Sequence, residues 1–299
     1  MAKLQTKGEK SFRVFSIVIM ALITIAAFLP FLLIIMASFT EEKTLIQFGY
    51  SFFPRKLSLG AYSYLFTHAS TITRAYCVSI GVTCAGTALS LLLTTMMAYP
   101  MSRKDFKYRN VLAFIVFFTM LFSGGIVPAY IMWAKVLQVT NTYAGLIFPT
   151  YLLGAFNVLL VRNYFMSNIP PALIESAQID GAKEFTIFFK IVLPLSTPVL
   201  ITIGLFTGLA YWNDWINALY YITNPQFYGI QNLLIYIMNN IQFITSGDGA
   251  RLLGNNAVQV PTAGIRMAMA VVGILPIVVI FPFFQKYMTE GIVMGAVKG

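Results

Sequence analysis

Long apolar runs separated by short polar segments dominate the chain. They cover residues 14–39, 75–101, 111–134, 143–166, 196–222 and 267–288. A helix needs about 20 apolar residues to cross a hydrocarbon core roughly 30 Å thick, and each run is long enough. Lipid offers the backbone no hydrogen-bond partner, so a spanning run is helical or part of a closed barrel. Barrel strands alternate polar and apolar residues over about ten positions, and these runs do not alternate. The pattern predicts an all-α integral membrane protein with six transmembrane helices. Residues 1–13 precede a single transmembrane domain over 14–299, which carries a long inner segment, 167–195, and long outer segments, 40–73 and 223–266. The apolar stretch Leu233–Ile244 predicts that part of the last segment packs.

Composition agrees with this picture: 58% of the 299 residues are hydrophobic and 10% charged, against about a quarter charged in a soluble domain. A net charge of +10 raises the question of nucleic acid. The Lys and Arg are scattered between apolar runs rather than gathered in one patch, so no nucleic-acid partner is expected. Topology explains the charge better. With the amino terminus inside, the inner segments hold Lys3, Lys7, Lys10, Arg13, Arg103, Lys104, Lys107, Arg109, Arg162, Lys183, Lys190, Lys286 and Lys298. The basic excess then lies on the cytoplasmic side, where an even number of spans places both termini. The first run is too long for a signal peptide and lacks a convincing small-residue cleavage site, so it is expected to remain as a helix.

Cysteine and histidine point to no metal or disulfide chemistry. Cys77 and Cys84 lie on one face of a predicted span and read as buried packing residues. His68, in an outer loop, reads as a solvated side chain. There is no Gly-rich loop ending in Gly-Lys-Ser/Thr, so ATP should not bind here through that phosphate cradle. No cofactor is expected in this chain, and any nucleotide chemistry must lie on a partner.

The inner segment carries the strongest signal. Ser167-Asn168-Ile169-Pro170-Pro171 combines a polar capping pair with prolines suited to a first helical turn. Asp180-Gly181 supplies a turn, with Asp180 placed to cap a second short helix that has Glu184 in its first turn and ends near Pro194. The result is a helix-turn-helix at the cytoplasmic surface. Its polar side chains include Glu175, Gln178, Lys183 and Lys190, and Ile174, Ile179, Phe185, Phe188 and Phe189 are free to pack against something apolar.

The run Glu175-Ser176-Ala177-Gln178-Ile179-Asp180-Gly181-Ala182, followed by Ile191-Val192-Leu193-Pro194-Leu195, resembles the EAA loop of ABC importer permeases. Ser176 stands where that family usually has Ala, a small-for-small change. The resemblance extends to carbohydrate permeases of the maltose type through Phe53–Tyr62, Trp212-Asn213-Asp214-Trp215 and the tail Gly291–Gly299. Phe122-Ser123-Gly124-Gly125-Ile126-Val127-Pro128 is similar, more narrowly, to the branch that imports complex oligosaccharides, including uronate-containing ones. The resemblance implies a type I importer permease in the bacterial cytoplasmic (inner) membrane. It also implies a sister permease, two nucleotide-binding ATPase subunits holding ATP and Mg, and an extracytoplasmic sugar-binding protein. Glu175, Ser176, Ala177, Gln178, Asp180, Gly181, Ala182, Lys183 and Pro194 would form the ATPase-coupling set.

A substrate path is sketched by polar and aromatic groups within the apolar runs. Trp212, Asn213 and Asp214 suit hydroxyl-rich rings, although Trp also serves as an interfacial anchor or packing residue. Asp214 is notable because intramembrane charge is expensive. Asn157, with Tyr151 one and a half turns earlier, either faces a path or bonds a neighbouring helix. Two rival functions remain: an ion-coupled secondary transporter, which would place ionisable groups at the midplane, and a membrane-embedded transferase, which would cluster Asp, Glu or His near one interface. Neither arrangement is present in the sequence.

Overall fold

The computed structural model describes residues 7–67, 69–245 and 262–296. His68, the stretch 246–261 with Arg251, and the last three residues of the tail lie outside the described residues. Among the described residues the regular structure is helical, apart from one isolated antiparallel bridge between Thr40 and Leu57. In order the helices are α1 (Lys7–Ser38), α2 (Glu42–Phe48), α3 (Gly60–Thr67), α4 (Ala69–Ser102), α5 (Arg109–Leu121), α6 (Ile126–Val136) and α7 (Tyr143–Ile147). There follow α8 (Ala155–Asn168), α9 (Pro171–Ile179), α10 (Glu184–Leu195), α11 (Thr197–Trp212), α12 (Ile216–Tyr221), α13 (Ile230–Thr245) and α14 (Thr262–Ala296).

Three described helices are long and apolar enough to cross a membrane alone: α1 over Ser11–Ser38, α4, and α14 over Ala263–Pro282. The pairs α5 with α6 and α10 with α11 qualify only when joined, and they are bent by 115° and 80°. The predicted third, fourth and fifth runs are therefore not straight rods. Gly125, at φ +85°, opens the first bend beside Gly124, a conformation that costs a residue with a Cβ about 1–2 kcal/mol. The fourth run divides into α7 and the 14-residue α8. A helix of that length rises about 21 Å, less than a hydrocarbon core. The fifth is interrupted between Trp212 and Ile216.

By internal packing the chain forms two units, Met1–Ala69 with Ile237–Leu275, and Ser70–Tyr236 with Pro276–Gly299. In the first, Ser38 Oγ and Tyr62 Oη lie 2.8 Å apart. Glu42 accepts the backbone N–H groups of Ala263 and Gly264 at 2.9 and 2.8 Å, a charge-assisted cap on the first turn of α14. No residue in the most apolar window of α1 is buried among the described residues. A helix apolar all round needs lipid or another chain for its surface.

Two of the apolar cores in the second unit bear on the site. One joins Met101 of α4, Val116 of α5, Val161 and Phe165 of α8, Ile187 and Val192 of α10, and Ile203 of α11. The other gathers Val78, Val82, Leu146, Tyr211, Ala218 and Ile222. Gly86 makes the second possible, because a Cβ there would lie 2.6 Å from the Tyr211 ring. Cys77 and Cys84 are exposed rather than buried. The face of α4 that packs inward carries Val78, Ser79, Val82 and Gly86 instead. The packed stretch expected after residue 223 is α13, with Ile230 and Leu233 buried and Ser79 Oγ accepting the Ile230 N–H at 2.8 Å.

Candidate functional site

The segment between α8 and α11 folds as two short helices joined by a tight turn. Pro171 occupies the first turn of α9, where its missing N–H costs nothing. Ser167 and Asn168 do not cap that helix. They finish α8, and Asn168 Nδ2 donates to the Tyr164 carbonyl at 3.2 Å. Prolines with their fixed φ start α9 without a side-chain cap.

Asp180 likewise does not cap α10. It is the flanking residue that ends α9, followed by Gly181 at φ +77°. The Ala182 N–H bonds the Ala177 carbonyl at 2.9 Å and the Gly181 N–H bonds Gln178 at 3.0 Å. This pair of bonds is the Schellman helix end, which requires a left-handed residue at Gly181. Lys183 flanks the start of α10 in extended conformation. Within α10 the backbone widens to a π-helical stretch, Phe188–Val192, just ahead of Pro194, whose ring and missing N–H disrupt ordinary helical bonding.

The motif residues thus divide by physical role. Ala177 is buried, and Ala182 packs against the same core as Phe165, Ile187 and Phe188. Glu175, Ser176, Gln178, Asp180 and Lys183 are exposed, as is Pro194. Exposed with them are Ile179 at 87% and Phe185 at 68%, so apolar and acidic groups share one surface.

Behind this surface the loop is bonded to the end of α4. Glu184 accepts from Tyr99 Oη at 2.6 Å and from Gln178 Nε2 at 3.0 Å, and Arg103 Nη2 lies 3.6 Å away. Arg103 also forks onto Asp105, with Nε and Nη2 donating at 2.9 and 2.7 Å. That guanidinium holds the Asp105 carboxyl below the usual carboxylate range. Arg162 of α8 donates to the Met101 carbonyl at 3.0 Å. A groove of about 220 Å³ between α4 and α9 is lined by Arg103, Lys104, Ile174, Glu175 and Gln178.

The substrate-path candidates fall elsewhere in the same unit. Tyr151 lies in the break between α7 and α8, not in a helix with Asn157, and its ring meets Tyr211 edge-on at 5.4 Å. Ser90 Oγ donates to its carbonyl at 3.3 Å. Asn157 is half-buried, and its side chain finds no hydrogen bond among the described residues, so it bonds no neighbouring described helix. Trp212 is buried and tilted against Tyr76 at 6.2 Å. Asp214 Oδ1 accepts the N–H groups of Ile216 and Asn217 at 3.0 and 3.1 Å and so caps α12. Asn213 is exposed, donates to Leu209 at 2.9 Å and accepts from Gln231 at 3.5 Å.

Two polar residues with long-range roles were not singled out by pattern. Asn141, at φ +55°, accepts the N–H groups of Thr223 and Asn224, both at 2.8 Å, which fastens the end of α12 to the turn after α6. Asn217 is 1% exposed and bonds Thr150. An Asn inside an apolar run was the available signal for Asn217. Asn141 sits in a polar turn and carries no such mark.

Residues 90–293 match the family described as binding-protein-dependent transport system inner membrane component. Among its relatives, Protein LplC of Bacillus subtilis (strain 168) is 39% identical over 296 residues, covering 98% of this chain and 97% of that protein. The polygalacturonan/rhamnogalacturonan transport system permease protein YtcP of the same organism is 40% identical over 272 residues, 91% of this chain and 92% of its own. In three dimensions the chain resembles a subunit of a bacterial ABC transporter involved in the import of the acidic polysaccharide alginate. The TM-score is 0.81 at 25% identity, covering 96% of this chain and 99% of that one. The two-helix loop, the matched residues and the near full-length relatives agree: this chain belongs to the family of binding-protein-dependent transport system inner membrane components.

Proposed function

We propose that this chain is the transmembrane permease subunit of an ATP-driven, binding-protein-dependent importer of oligosaccharides. The observation that carries the coupling role is the α9–α10 loop, where the Schellman turn at Gly181 and the buried Ala177 leave Glu175, Ser176, Ile179 and Asp180 on one accessible surface. Such a surface suits a cleft on an ATPase subunit. Two ATPases holding ATP and Mg, a sister permease and an extracytoplasmic sugar-binding protein complete the assembly. ATP-driven closure of the ATPases would move the loop and alternate access to the sugar.

In this arrangement the chain crosses the membrane six times with both termini cytoplasmic. The bent pair α5–α6 and the divided run α7–α8 count as one passage each, and α11–α12 forms the fifth. Residues 1–13 and 167–195 lie inside and 223–266 outside. Tyr151, Asn157, Asn213 and Asp214 mark the sugar path, with Trp212 as its packing support.

The substrate class we favour is acidic oligosaccharides, since one relative is a polygalacturonan/rhamnogalacturonan permease and the structural neighbour belongs to an alginate importer.

The test is Glu175→Lys. We expect uptake to be abolished while the protein still inserts and accumulates in the membrane, measured by whole-cell uptake and by immunoblot of membranes. Normal uptake would remove the docking role.

A further inference from the structure

The α9–α10 loop is covalently continuous with α8 and α11, but α4 lies far from it in sequence. We propose that Tyr99, Arg103 and Glu184 form a strut that carries movement of this loop directly into α4, so that these three act as positioning residues for transport. This inference rests on the permease function proposed above.

Three observations converge on the strut. The Tyr99 hydroxyl donates to Glu184 at 2.6 Å across 85 residues of sequence, a charge-assisted bond with defined direction. The same carboxylate holds Gln178 of α9 and faces Arg103, so one group joins α4, α9 and α10. Behind it the Tyr99 ring packs on Phe188 at 5.3 Å, and Phe188 is 3% exposed. Apolar contacts alone can slide, whereas a bonded carboxylate fixes register.

The middle of α4 shows what the strut would move. Gly86 seats the Tyr211 ring, and Ser90 bonds the backbone of Tyr151. A displacement entering α4 at Tyr99 therefore reaches two aromatic residues beside the proposed sugar path. Stability is not the strut's main contribution, because Glu184 is 55% exposed and solvent screens the attraction of an exposed carboxylate.

The experiment uses the complete complex reconstituted in proteoliposomes with its ATPases and binding protein. ATP hydrolysis and uptake of labelled trigalacturonate are measured together. Wild-type complex that neither hydrolyses ATP nor takes up sugar would overturn the permease function itself. Hydrolysis without trigalacturonate uptake would overturn the substrate class, and the variants would then be read with the polysaccharide fragments that the binding protein retains.

With an active wild type, Tyr99→Phe and the isosteric Glu184→Gln should assemble and hydrolyse ATP at the wild-type rate. Sugar imported per ATP should fall about fivefold in each, the scale of one such hydrogen bond. The double variant should be no worse than the weaker single, because both changes cut the same link. A wild-type ratio in both singles would overturn the strut. So would additive losses in the double variant, or ATP hydrolysis and uptake falling in parallel. If Tyr99→Phe fails to assemble, Glu184→Gln alone decides by the same ratio.

Discussion

At Gly145 one added methyl group would sit 2.5 Å from the Val139 carbonyl oxygen and 3.3 Å from Tyr221 Cβ. Backbone cannot swing away as a long side chain can, so Gly145→Ala should destabilise by about 1–3 kcal/mol, the usual range for overpacking. Gly81→Ala, with nothing within 4 Å, is the matched control. Both are read by the fraction of detergent-solubilised protein that stays monodisperse after heating. Asn141 holds a left-handed conformation that Asn tolerates better than most residues, and its carboxamide oxygen takes two backbone donors. Asn141→Ala should cost about 1–3 kcal/mol in the same measurement, and Asn141→Asp should recover much of it by keeping the acceptor.

Among the elements, α9 and its turn were the most legible in sequence. Prolines start the helix, Asp-Gly ends it, and the apolar positions sort themselves between core and surface. The error lay in the direction of capping. Asp180 precedes the second helix at a spacing that suits an N-cap, but Gly181 in the left-handed region closes the first helix by backbone bonds, and Asp180 is used up as its last flanking residue. Gly181→Ala should therefore cost about 1 kcal/mol or slightly more, and the loss should appear as weaker retention of the ATPase subunit on purification, since the turn shapes the exposed surface. The broken helices were only partly legible. Gly124, Gly125 and Pro128 lie at the bend between α5 and α6, but hydropathy is blind to angle. An apolar run looks the same whether its helix continues or turns by 115°. Asp214 shows the complementary limit: its capping of α12 appears only once the helix is seen to restart after it.

For the molecule as a whole, the exposed surface of α1 and the exposed face of the α9–α10 loop call for other chains. Tagged protein extracted from native membranes in mild detergent should carry a second permease and a nucleotide-binding subunit, identified by mass spectrometry. Recovery of the chain alone, under conditions that preserve a known complex, would favour an ion-coupled transporter.

Composition and run length by themselves determined that the solvent is lipid and the secondary structure helical, because an unpaired backbone in hydrocarbon is too costly for any open alternative. The order of residues from Glu175 to Leu195 by itself determined the two-helix loop, because prolines, Asp-Gly and small residues impose local backbone geometry. Only the tertiary structure decided that Tyr99 and Glu184 meet, that Glu42 caps a helix more than two hundred residues away, that Cys77 and Cys84 are exposed, and that Trp212 is buried against Tyr76. Those outcomes depend on which faces of distant helices come together, and no local pattern of apolar and polar residues contains that information.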